Sequence, residues 1–120
     1  MTTPQLHVVH PAESAHSDTA TGWQKIFLGA HSLSPSPLVM GLTHQEPYAQ
    51  SPLISHSTSE VCFITKGSGF MITGETEHPF APGDALHIEP GCWHAIKTEA
   101  QEVEMLYLFP GSKLPPTTTA

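Results

Sequence analysis

The chain has 120 residues, with 4 Lys, no Arg, 11 acidic residues and 9 His, and a formal net charge of -7. That length suits one domain with its own core, and an acidic chain without arginine argues against nucleic acid or an anionic membrane as partner, since both select a basic footprint. No apolar run is long enough to cross a membrane, and the opening MTTPQLHVVHPAE has neither a basic nor an apolar signal region, so the expected compartment is the cytoplasm.

In chain order, Leu6–Val9 is a possible first strand, and residues 11–22 (PAESAHSDTATG) read as a polar linker. Short apolar runs follow: WQKIFL at 23–28, LVM at 38–40, EVCFITK at 60–66, FMIT at 70–73, DALHIE at 84–89 and VEMLYLF at 103–109, with SLSPSP at 32–37 as a loop. The 12 Pro and 9 Gly chop the sequence into pieces too short for ordinary helices. Many short strands separated by turn signals predict an all-β sandwich or barrel. Residues 92–109 stand apart, having neither Gly nor Pro. They read either as a helix with Ile96, Ala100, Val103 and Tyr107 on one face, or as a strand at 93–98, a polar turn at 99–102 and a strand at 103–109. In the second reading Val103, Met105, Tyr107 and Phe109 share one face. SKLPPTTTA at 112–120 is polar and reads as a flexible tail. The expected organisation is N-terminal strands and loops at 1–37 packing on a barrel, the barrel core at 38–110, and a loose tail at 111–120. Cys62 and Cys92 give no disulfide framework.

The chemistry concentrates in two places. His56-Ser57-Thr58-Ser59-Glu60 precedes the run VCFITK and the turn Gly67-Ser68-Gly69. If that piece stays extended, His56 and Glu60 share a face with Ile54 and Cys62. A carboxylate facing an apolar interior is costly unless paired, coordinated or neutralised, and a cation between Glu60 and an imidazole satisfies both. The second place is Gly83-Asp84 opening a strand and Pro90-Gly91 re-aiming the chain before His94. If His94 reaches the same interior, two His and one carboxylate form a facial triad that suits Fe(II), Mn, Zn or Ni.

These residues resemble the two motifs of the cupin superfamily. Its first motif is His, one residue, His, three or four residues, Glu, six residues, Gly, and His56, Glu60 and Gly67 match it from the second His onward, with Ile54 where the first His stands. Its second is Gly, five residues, Pro, one residue, Gly, two residues, His, three residues, Asn; Gly83, Gly91 and His94 match, while Glu89 and Thr98 replace the Pro and the Asn. The resemblance covers roughly residues 38–110. It implies a small antiparallel double-stranded β-helix (jelly-roll) barrel, strand-turn-strand over 92–109, a homodimer, and a divalent metal ion on His56, Glu60 and His94. Three protein ligands leave an open coordination position for catalysis.

The remaining candidates carry bland readings beside sharp ones. His87, mid-strand, is a candidate acid/base or fourth ligand, or a hydrogen-bonded half-buried side chain. His44 reads as a surface-loop residue, and His7, His10, His16, His31 and His78 as solvated. Cys62 and Cys92 each lie two residues from a proposed ligand, yet small apolar packing suits them better. Glu89 suits an exposed loop, and Trp93, Phe63, Phe70, Met71 and Tyr107 the pocket wall or core. The expected function is a metal-dependent small-molecule enzyme of dioxygenase, lyase or isomerase type, with catalytic roles for His56, Glu60, His94 and His87. The rivals are a non-catalytic metal or ligand sensor and a metal-free isomerase-like barrel using a His base. Without arginine, the expected substrate is uncharged or anchored by the metal.

Overall fold

Apolar-polar alternation decides which face of each strand turns inward, and strand β10 carries it most regularly. The computed structural model describes residues 3–30, 32 and 34–120; the reading of His31 falls outside them. In β10 (Val103–Pro110), Val103, Met105, Tyr107 and Phe109 are buried while the alternate residues face outward. β10 pairs antiparallel with β3 (Leu38–Gln45) on one side and β5 (Glu60–Lys66) on the other. β2 (Gly22–Leu28) extends the sheet beyond β3, β1 (Ala15–Thr19) beyond β2, and β8 (Ala85–Ile88) beyond β5.

A second layer holds β6 (Gly69–Thr73) between β7 (Thr76–Phe80) and β9 (Ala95–Thr98), and β4 (Ile54–His56) beside β11 (Thr117–Thr119). Single bridges from Ile54 to His94 and from Gln50 to Lys97 tie the β4 side to the β9 side. Every strand pairing is antiparallel, as expected for the all-β class. The core between the layers gathers Ile26, Val39, Cys62, Ile64, Met71, Phe80 and the inward residues of β10.

The strand-turn-strand reading of 92–109 holds because the two strands join different layers. β9 pairs with β6, whereas β10 pairs with β3 and β5. The polar turn carries the chain across, and tertiary pairing outweighs the helix propensity of AIKTEAQEVEML.

Three local expectations are corrected. Leu6–Val9 forms no strand, and Leu6 is 89% exposed. The first strand is instead β1, within the supposed linker; pairing with β2 along Ala15–Thr19 makes it a polar edge strand that an apolar pattern does not reveal. At the other end, the supposed loose tail includes β11, which pairs with β4 from Thr117–His56 to Thr119–Ile54. β7 is also polar, and its Pro79 is tolerated because β7 pairs with β6 alone. Among the described residues no helix is long and apolar enough to cross a membrane.

Candidate metal centre

His56 ends β4 and Glu60 opens β5, and the chain between them bends at Ser57 and Thr58 while passing from one layer to the other. Extended-chain parity therefore does not bring the two together; the crossing does. His56 Nε2 lies 3.3 Å from Glu60 Oε1. The third member arrives through the turn after β8. Gly91 adopts φ 79, a region costly for side chains other than glycine. Its N–H donates to the His56 carbonyl at 2.8 Å. Three residues on, His94 bridges Ile54, and its Nε2 sits 3.4 Å from the same Glu60 Oε1. The three side chains are 9%, 12% and 6% exposed, dry enough that an uncompensated carboxylate here is expensive.

Proton accounting defines what the cluster lacks. His94 Nδ1 lies 2.9 Å from the Cys92 carbonyl, which only accepts, so Nδ1 carries the proton and the neutral ring presents a lone pair at Nε2. His56 Nδ1 lies 2.9 Å from Thr117 Oγ1, whose own proton has an acceptor in the Pro115 carbonyl at 3.4 Å. With Nδ1 of His56 donating to Thr117, its Nε2 is a lone pair as well. Two imidazole lone pairs and one carboxylate oxygen then converge with no donor among them. A proton or a cation must fill the gap.

Without a metal, the proton takes the place. Burial pushes the Glu60 carboxyl up, but hydrogen bonds from His56 and His94 and the charge of both rings outweigh it and hold it at about 2. Burial pushes the His94 ring down, and its bonds to Glu60 and the Cys92 carbonyl, with the Glu60 charge, raise it above the usual histidine value. A divalent ion fits the same place. Metal–donor bonds of about 2.1 Å at right or tetrahedral angles put neighbouring donor atoms roughly 3.0–3.4 Å apart, and the two pairs measured here are 3.3 and 3.4 Å.

The triad lines a cavity of about 350 Å³ walled by Met71, Ile88, Ile96, Met105, Phe109 and Leu114, with Gln24, Gln45, Thr43 and Tyr107 as polar groups and neither Lys nor Arg. Tyr107 O–H donates to Gln24 Oε1 at 3.1 Å. Burial, then the charge of Glu60, pushes the Tyr107 phenol up, so it stays a donor. The Cys62 thiol, 3.6 Å from Glu60 Oε2, is raised by burial, the Glu60 charge and that hydrogen bond. It is a buried packing residue that steadies the second carboxylate oxygen.

The other expectations divide. Ile54 lines the cavity beside the triad, so the position of the first family His faces the site without a donor. His87 does not join it. It is exposed on edge strand β8, opposite Val61 on the outer face, with Nε2 3.2 Å from Ser59 Oγ. Its inward neighbour Ile88 lines the cavity, so the catalytic role expected for His87 is corrected by strand register. Phe63 and Trp93, 44% and 39% exposed, likewise leave the pocket wall. Glu89 is exposed, as expected of a loop residue.

His44 corrects another expectation. It is buried in β3, not on a surface loop, stacked on Trp23 with ring centroids 4.9 Å apart. Its Nδ1 is 2.8 Å from Glu104, and Nε2 is 3.3 Å from Glu46 and 3.7 Å from Glu102. The signal was cross-strand: Trp23, His44 and Glu104 stand opposite one another on β2, β3 and β10. Donor atoms of His44, Glu46 and Glu102 lie within 4.8 Å of one another, a second candidate cation cluster, with Lys66 paired to Glu102.

The fold and the first cluster define a small barrel with a candidate metal site, and comparison places it in a family. The chain belongs to the cupin domain family, whose model matches residues 41–109. No curated protein sequence matches it. Among solved structures it is similar to the polyketide cyclase RemF from Streptomyces resistomycificus, with TM-score 0.80 and 16% identity over 97% of this chain and 86% of that one. It is also similar to the DMSP lyase DddQ from Ruegeria pomeroyi, with TM-score 0.70 and 18% identity over 88% of this chain and 51% of that one. A deletion mutant of the Bacillus subtilis oxalate decarboxylase OxdC aligns with TM-score 0.79 and 17% identity over 98% of this chain and 33% of that one. The chain thus spans about half of the lyase and a third of the decarboxylase. At these identities the likeness concerns the fold, and these structural neighbours are enzymes.

Proposed function

We propose that this barrel is a metal-dependent enzyme acting on a small uncharged molecule, with His56, Glu60 and His94 holding a divalent ion. The observation that carries the reading is the convergence of two Nε2 atoms on Glu60 Oε1, with both Nδ1 positions already hydrogen-bonded elsewhere. When bound, the ion would supply Lewis-acid polarisation of a carbonyl or enol oxygen. The chain's own residues do the rest. Glu60 supplies the one anionic donor, and Cys62 steadies its second oxygen. The apolar wall excludes water from the bound molecule, while Tyr107 and Gln24 offer hydrogen bonds to a polar group away from the triad. An organic anion finds no Lys or Arg on the wall, which supports an uncharged substrate.

One observation favours a second reading, a binding protein without turnover. Among the described residues, the only titratable side chains lining the cavity outside the triad are Cys62 and Tyr107, and both are pushed up. Neither is a base at neutral pH, so proton transfer would fall to the triad itself.

Metal titration of the untagged protein with Mn(II), Fe(II) and Zn(II), beside Glu60→Gln and His94→Ala, tests the centre. Stoichiometric binding by the parent and affinity weakened about 100-fold or more in both variants are expected. A parent that binds none of the three ions overturns the proposal. Turnover by the loaded protein on diketones and flavonoids, with and without oxygen, separates enzyme from binding protein. Light scattering checks the expected homodimer.

A further inference from the structure

The segment after β10 returns across the cavity. Leu114, Pro115 and Thr117 line it, β11 lies against β4 with Thr117 opposite His56, and Ala120 N–H donates to the Leu53 carbonyl at 3.0 Å. Among the described residues, the only side-chain bond from this segment to the triad is between Thr117 Oγ1 and His56 Nδ1, at 2.9 Å. A serine, valine or threonine fits an exposed three-residue strand equally well, so the ladder alone does not require a hydroxyl there.

We propose that Thr117 is a positioning residue for His56: its hydroxyl accepts from Nδ1–H, fixes the tautomer with the Nε2 lone pair toward Glu60, and makes the strap after β10 part of the metal site. This rests on the metal reading above. His94 has its tautomer set by a carbonyl of its own turn, at Cys92, two residues away. His56 borrows its partner from 61 residues along the chain. Water in place of the hydroxyl would donate or accept with equal ease and would leave the ring free to place its proton on either nitrogen. β11 buries no side chain and pairs with β4 alone, so the strap is among the easiest parts of the barrel to open. Its departure would expose His56 and loosen the ion together.

The test compares the parent, Thr117→Val and Thr117→Ser as full-length proteins. Imidazole nitrogen NMR on the metal-free protein, at a pH high enough to remove the proton that bridges the triad, reads the His56 tautomer, and calorimetric titration with Mn(II) reads the site. The parent and Thr117→Ser are expected to hold the proton on Nδ1. Thr117→Val is expected to show mixed tautomers and Mn(II) affinity lower by about 10- to 100-fold. A tautomer unchanged in Thr117→Val overturns the proposal, whether or not affinity falls. If the tautomer moves but the parent binds no Mn(II), the metal reading fails while the positioning of His56 by Thr117 stands.

Discussion

Ile54 and His94 face each other across a two-hydrogen-bond bridge, with Ile54 N–H donating to the His94 carbonyl at 3.0 Å and His94 N–H to the Ile54 carbonyl at 2.8 Å. The backbone that delivers one candidate ligand is therefore held by the residue standing where the family motif has another His. Because Ile54 also lines the cavity, a donor placed there is well situated to join the other three.

Ile54→His is expected to tighten Mn(II) binding by about tenfold or more, since 1.4 kcal/mol of added coordination is already a factor of ten. Calorimetric titration beside the parent checks it. Affinity equal to or weaker than the parent's would show that the side chain at 54 cannot reach the ion.

The buried triad also sets a pH dependence. In the metal-free protein the Glu60 carboxyl is lowered from 4.5, so its contribution to stability is present above 4.5 and is lost as pH falls toward 2. The His94 ring is raised from 6.5, so its contribution is full below 6.5 and is lost as pH rises through the raised value. Both act together between 4.5 and 6.5, and the stability difference between parent and Glu60→Gln is expected to be largest there. Metal reverses the trend, because the ion must displace the His94 proton. The rise in melting temperature on adding Mn(II) should grow from about pH 6 to pH 8. Melting curves with chelator and with Mn(II) read both effects, and a metal-induced rise that shrinks with pH would count against His94 as ligand.

Tyr107 lies opposite Gly41 in the β10–β3 ladder, and its ring occupies the space a side chain at 41 would need. A β-carbon there would also meet the Lys25 carbonyl at 2.7 Å, which is backbone and cannot swing away. Gly41→Ala is expected to cost about 1–3 kcal/mol by overpacking and to break the Tyr107–Gln24 hydrogen bond. Urea denaturation gives the stability change; a variant as stable as the parent would mean that the ladder yields more easily than the geometry implies.

The two thiols should differ sharply in reactivity. Cys62 is 1% exposed and its thiol is raised by burial beside Glu60, whereas Cys92 is only partly covered. Cys92 is expected to react with a thiol reagent in the native protein, with Cys62 following only in denaturant. Mass mapping of the first labelled site decides it. Labelling of Cys62 first would mean that the cavity opens readily to solvent.

How much of this was legible beforehand follows from the range of the forces involved. Inward residues of β10 were readable because side-chain alternation is a local property of an extended chain, and Gly91 because a positive φ selects glycine wherever it occurs. His56, Glu60 and His94 were found by motif spacing. The condition under which local parity would put His56 and Glu60 on one face, continuous extension, is not met at Ser57 and Thr58. They meet because β4 and β5 belong to different layers that close on each other.

By itself the sequence determined an acidic, arginine-free, all-β chain and, through its motif spacing, the identity of three convergent donors. Tertiary structure alone decided that His87 faces outward, that His44 is buried among three glutamates, and that a threonine near the C-terminus touches His56. Each of these depends on which strand lies beside which, and in what register. A shift of one residue in a pairing reverses the face of every side chain on the strand, and nothing in the local pattern of His87, His44 or Thr117 records the partner strand that sets it.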